Sequence, residues 1–115
     1  MKTLRVTENL TPDTEYLLTA STDAKQLRDC KGQTLTVDGL AMLEDVKRNT
    51  GETLVIARIA SEGEVYATSS PTFVSALESA WDFSERRQMP IKALEIRTGH
   101  SANGRDYLTC KALFN

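Results

Sequence analysis

A small, mainly β domain with one helix is what this sequence predicts, and three observations predict it. Short apolar runs with period-two alternation follow one another directly, which favours antiparallel pairing over parallel strands that need a crossover between them. Turn-forming residues, glycine among them, separate these runs. A single segment, "SSPTFVSALESAWDFSERR", switches to a helical period. At 115 residues the chain can bury roughly 65% of its unfolded surface in one core, so residues 1–115 are expected to form one domain.

Along the chain, residues 1–14 read as a loosely ordered N-terminal arm. "EYLLTAST", Glu15 to Thr22, is a short apolar run read as a strand, followed by the polar stretch "DAKQLRDCKG". "QTLTVDGLAMLEDVKRN" sets Leu35, Val37, Met42 and Val46 around Asp38-Gly39, the pattern of a strand bent or bulged at the glycine. In "TGETLVIARIASEGEVYATSS" the run Leu54 to Ala60, with β-branched Val55, Ile56 and Ile59, turns at Ser61 to Glu64 and returns through Val65 to Thr68, a hairpin. Ser70 then serves as an N-cap candidate and Pro71 as the first helical residue. Phe73, Ala76, Leu77, Ala80 and Trp81 share one stripe, and Met89-Pro90 ends the helix. "IKALEIRTGHSANGRDYLTCKALF" alternates again through Ile91, Leu94 and Ile96, then Leu108, Cys110 and Ala112, with a glycine-containing loop between. Five or more strands and one helix in this length fit a small antiparallel OB-fold-like barrel capped by the helix.

Composition narrows the function. No apolar run approaches the roughly 20 residues that cross a bilayer, and the N-terminus carries charge and a turn where a secretion signal would be apolar. A cytoplasmic location is expected, with no membrane partner. Cys30 and Cys110 lack a CxxC spacing, which points to reduced packing thiols rather than a metal or redox pair. Charge is uneven: residues 1–85 hold eight basic and fourteen acidic side chains, residues 86–115 six basic and two acidic, so the C-terminal quarter is locally positive by about four.

The two glycines of "RTGHSANGRDYLTC" do not make a phosphate loop. Gly104 is followed by Arg105-Asp106 and a strand, whereas an NTPase loop needs Lys and Ser or Thr there and must open a helix. Asn103-Gly104 suits a turn with positive φ, with Gly99 relaxing the other end of the loop. His100 is the only histidine, so a histidine metal pair is excluded, and it reads as an exposed loop residue. No carboxylate pair is tied to a base, nucleophile or metal partner, so neither catalysis nor a cofactor is expected.

What the residues can supply is a surface for an unpaired polynucleotide: aromatic faces for base stacking and cations for phosphates. The candidates are Arg58, Tyr66, Arg97, Arg105, Tyr107 and Lys111. In the last hairpin, alternation puts Tyr107, Thr109 and Lys111 on one face, opposite Leu108, Cys110 and Ala112, with Glu95 and Arg97 able to join them. Lys47 and Arg48 beside the turn at 49–51 extend the cationic edge, while Arg86 and Arg87 close the helix against its dipole.

The glycine-led strand of "GQTLTVDGLAMLEDVKRN", the G-E-x-Y approach at Gly63, Glu64 and Tyr66, the helix from Ser70 to Ala80 and the G-x-S-x-x-G-R-x-Y loop from Gly99 to Tyr107 carry a resemblance. Over residues 15–114 the chain resembles the small single-stranded-DNA-binding proteins of protein-primed Bacillus phages and their relatives in other phages of Gram-positive hosts. The resemblance implies an oligonucleotide-binding barrel that coats single-stranded DNA in replication in the host cytoplasm, with replication proteins as further partners. The excess acid of residues 1–85, including Glu44-Asp45, Glu62 and Glu64, supports the alternative: a phage accessory interaction module that inhibits a host enzyme or mimics nucleic acid. Whether the chain is a monomer or a homo-oligomer is left open by the sequence.

Overall fold

The computed structural model describes all 115 residues as eight strands and two helices. One sheet has the order β1 (Lys2–Val6), β4 (Gly39–Val46), β5 (Thr53–Ser61), β6 (Glu64–Thr68), β2 (Lys25–Gln26); the other has the order β3 (Thr34–Thr36), β7 (Ile91–His100), β8 (Asp106–Phe114). All pairings are antiparallel except the short β2–β6 contact. No pairing joins β6 to β8, so the two sheets do not close on each other.

The bend expected at Asp38-Gly39 carries the chain from one sheet to the other. Leu35 pairs with Leu94 in the smaller sheet, and four residues on, Gly39 pairs with Ala60 in the larger. Across the bend the Val37 N–H donates to the Lys92 carbonyl and the Asp38 N–H to the Ala60 carbonyl, so the turn leaves neither donor unpaired. The β5–β6 hairpin turns on Glu62 and Gly63, both at positive φ (51° and 81°), the two-residue turn whose twist matches paired strands.

The second helix, α2 (Pro71–Arg87), follows the expected stripe and ends at Gln88 in the left-handed conformation, one residue before Met89-Pro90. Phe73, Val74, Leu77 and Trp81 enter a core between the sheets, meeting Leu40, Met42, Ala57 and Ile59 from one and Leu35, Leu94, Ile96 and Leu108 from the other. Phe73 and Leu77 are fully buried, each worth about 1.5–3 kcal/mol in apolar burial.

Two expectations are corrected at the N-terminus. Glu15 to Thr19 of "EYLLTAST" belong to a helix, α1 (Pro12–Thr19), so the chain has two helices and not one. The Thr11 hydroxyl accepts the Thr14 N–H, Pro12 starts the helix, and Asp13 and Glu15 lie in its first turn, which together outweigh the β-compatible look of the apolar run. Residues 1–14 are not a loose arm: they supply β1, paired with β4, and the first turn of α1. The helix roofs the outer face of the larger sheet, where Leu18, Ala41, Leu43 and Ala60 form a second, smaller core. Gly39 permits this approach, because a Cβ there would sit 2.8 Å from Leu18 Cδ1 and 2.9 Å from Leu10 Cδ2. The polar stretch after it is partly interior as well: a 3₁₀ turn, Leu27–Cys30, buries Leu27 and Cys30.

Candidate functional site

The β7–β8 hairpin sets the geometry. Glu95 pairs with Lys111, Arg97 with Thr109 and Gly99 with Tyr107, so all six lie on one face, while Leu94, Ile96 and Leu108 point into the core. A register shift between Ile91 and Ala93 turns Ile91 inward, so exposed Lys92 does not share the face of Leu94 as strict alternation would have it. Arg97 and Lys111 are exposed and Tyr107 is 38% exposed, which marks this as the outer face.

Tyr107 is held in place from below. A Cβ built at Gly99 would overlap Cζ, Oη and Cε2 of Tyr107, so the absence of a side chain at Gly99 lets the phenol lie across the neighbouring strand. Gly99 therefore does not relax the loop as expected; it is the floor under an aromatic ring whose other side meets solvent. The loop itself turns on Gly104 at φ 78°, with the Gly104 N–H on the Ser101 carbonyl and the Ser101 N–H on the Arg105 carbonyl. Asn103 keeps negative φ, so Gly104 alone carries the turn's positive φ.

The charges on the face are mixed. Arg97 donates to Glu95 at 2.9 Å, a partly exposed pair of modest strength, and Lys111, opposite Glu95, has no ion-pair partner. Arg105 is exposed at the loop and also unpaired. His100 and Asp106 meet at 2.7 Å on the opposite face of the hairpin, and no third side chain of a metal-ligating type joins them.

Two of the sequence candidates lie elsewhere. Arg58, expected on the polynucleotide surface, is only 4% exposed and sits under α1. It donates to the carbonyls of Ser21 (2.8 Å), Leu17 (3.3 Å) and Leu18 (3.4 Å), caring for carbonyls that the end of α1 leaves open. Burial away from water lowers its pKa, yet a guanidinium stays charged at neutral pH. Tyr66, the other correction, is half-buried and packs against the main core. The structure thus brings together Arg97, Tyr107 and Lys111 with Arg105 beside them, and separates Arg58 and Tyr66 from that group.

Residues that sequence reasoning missed are Glu95 as a charge competing for Arg97, and Gly99 as the seat of Tyr107. Both were readable from the spacing once the strand register was known, because each is the direct cross-strand neighbour of a candidate or two residues from one. A concavity of about 490 Å³ lies elsewhere, between residues 6–10, the bend at 37–40 and α2; its lining includes Glu8, Asp38 and Glu85 beside Trp81, Leu40 and Ile91, the wrong sign for a polyanion. Both cysteines are free thiols, and burial pushes Cys110 up to about 11. No helix is long and apolar enough to cross a membrane. Comparison with protein-family models, curated proteins and solved structures returns no match to the chain.

Proposed function

We propose that this chain is a sequence-nonspecific single-stranded-DNA-binding protein of a phage or mobile element, built on an OB-like barrel and coating single strands in replication. The observation that carries it is the outer face of the β7–β8 hairpin, where a solvent-facing tyrosine ring lies between Arg97 and the Arg105 loop, with Lys111 further along the same strand. That is the combination a polynucleotide without sequence choice requires: a π-face for a base and cations spaced along a backbone.

The barrel reading draws on strand order. A bent strand shared by two sheets (β3 and β4), a meander through β5 and β6, a helix, and a hairpin returning to the bent strand follow the course of an OB-fold, which is itself only partly closed. In such folds the face of the second and third strands binds oligonucleotides, flanked by two loops. Here α1 roofs the equivalent face of β5 and takes Arg58 as its cap. Binding therefore moves to the last hairpin, with the Arg105 loop as its cationic margin.

Trp81 is buried, beneath the Arg5 guanidinium at 4.3 Å, so it is a poor reporter; the probe is a fluorescein-labelled oligothymidine read by anisotropy. If Arg97, Arg105 and Lys111 each neutralise a phosphate, the logarithm of affinity falls against the logarithm of salt with a slope of roughly −2. No anisotropy change at low salt rejects the reading. Glu95→Gln frees Arg97 from its ion pair and removes the negative charge facing Lys111, the equivalent of about one added phosphate contact, so binding should tighten about five-fold at 0.1 M salt. Unchanged affinity in that variant would mean that Arg97 and Lys111 do not meet the strand.

A further inference from the structure

Strand β8 ends the smaller sheet with one side unpaired. In β7 the Ile96 N–H and carbonyl bond to Gln33 and Gly32 beside β3, so the alternate residues Glu95, Arg97 and Gly99 turn their backbone groups toward β8 and are answered there by Lys111, Thr109 and Tyr107. The backbone groups of Leu108, Cys110 and Ala112 consequently point the other way. None of the turn, loop or side-chain hydrogen bonds of the chain uses them. A nine-residue edge free of proline and glycine is an invitation to another strand. The remaining edges are blunted: β1 has five residues and a register shift, β2 two and β3 three.

We propose that a second copy of this chain occupies this edge, its β8 antiparallel to the first about a two-fold axis at Cys110, joining two three-stranded sheets into one of six. The strand is self-complementary in that register. Cys110 is the midpoint of Asp106–Phe114, so antiparallel self-pairing about it overlaps the whole strand. It sets Tyr107 (38% exposed) opposite the partner's Leu113, and Leu113 (37% exposed) opposite the partner's Tyr107, pairing the two exposed large apolar side chains of this sheet's outer face edge to edge. It also places Lys111 opposite the partner's Thr109. Moving the axis to Lys111 brings the two lysines face to face, and moving it to Thr109 leaves Leu113 without an apolar neighbour. The Arg97, Tyr107 and Lys111 sets of both copies then lie on one continuous face. The inference stands on strand geometry alone and is measured without oligonucleotide, so its failure leaves the binding reading where it was.

Sedimentation equilibrium of the protein at sub-millimolar concentration is expected to show a dimer. Ala112→Pro removes an edge-facing N–H without taking a bond from β7, and should yield a monomer. Mild oxidation supplies a readout that does not depend on a proline variant folding: directly opposed residues in a bonded antiparallel pair lie about 5.5 Å apart at Cα, within disulfide range. A covalent dimer should form in Cys30→Ser and be absent in Cys110→Ser. A monomeric wild-type protein, or a dimer that crosslinks through Cys30 and not Cys110, overturns the proposal.

Discussion

Replacing Arg58 with alanine is expected to destabilise the fold by about 2 to 4 kcal/mol while leaving the affinity of the folded protein for oligothymidine unchanged. Hydrogen bonds to a charged group contribute about 1.5–3 kcal/mol, and a buried acceptor stranded by loss of its donor costs about 1–3 kcal/mol. Of the three carbonyls Arg58 meets, that of Ser21 at 2.8 Å is the strong contact; those of Leu17 and Leu18 at 3.3 and 3.4 Å add little. Relief from desolvating a guanidinium offsets part of the loss, and the packing of its alkyl stem under α1 adds to it. Domains of this size are stable by about 5–15 kcal/mol in all, so the variant gives up a large share. Urea unfolding followed by circular dichroism measures it, and Arg58→Met, which keeps the stem, should lose less than Arg58→Ala. A variant of normal stability but weakened oligonucleotide binding would instead return Arg58 to the polynucleotide surface.

Arg58 also shows where the sequence stops being readable. Alternation along "LVIARIAS" correctly sets Arg58 apart from Ala57 and Ile59, but it says only which face a residue is on, not what covers that face. The cover is α1, eight residues with a single fully buried side chain, Leu18, too short and too weakly amphipathic for its period to stand out. Its start was legible in principle, since Thr11-Pro12 repeats the pairing of hydroxyl residue and proline that marked Ser70-Pro71. There the cap residue's hydroxyl makes no hydrogen bond to the helix, whereas Thr11 does, so the more weakly patterned helix has the better cap. The helix α2, the turn at Glu62-Gly63 and the last hairpin were legible because each rests on local chemistry: helical spacing, a positive-φ pair, a glycine loop between alternating arms. What depends on distant partners was not. The two-residue strand β2 pairs with β6 some forty positions away. In the candidate site, the shared face of Arg97, Tyr107 and Lys111 follows from period two, while the ion pair that competes for Arg97 follows from side-chain reach.

The largest effect on binding should come from Arg97→Glu combined with Lys111→Glu. At 0.1 M salt each phosphate contact is worth about five-fold in affinity, so neutralising both cations with alanine costs about 25-fold and reversing them costs on the order of 600-fold. For the alanine pair, stability should move by no more than about 0.5 kcal/mol, because both side chains face solvent and the one ion pair involved is partly exposed; the reversal also sets a like charge opposite Glu95, which costs up to about 1 kcal/mol more. The alanine pair should also flatten the salt slope from roughly −2 to roughly −0.7, since only Arg105 remains. Tyr107→Ala separates stacking from charge: one base-stacking contact is worth about 1–3 kcal/mol, a loss of about 5- to 150-fold, with the salt slope unaltered. Gly99→Val should reproduce that loss without touching the phenol itself, because the new side chain occupies the place where the ring lies. Under the competing view, in which acidic side chains engage a host enzyme, neither reversal nor the tyrosine variant changes the interaction that matters. Equal oligonucleotide affinity across wild type, the double reversal and Tyr107→Ala would remove the hairpin from any binding role, whatever else the protein contacts.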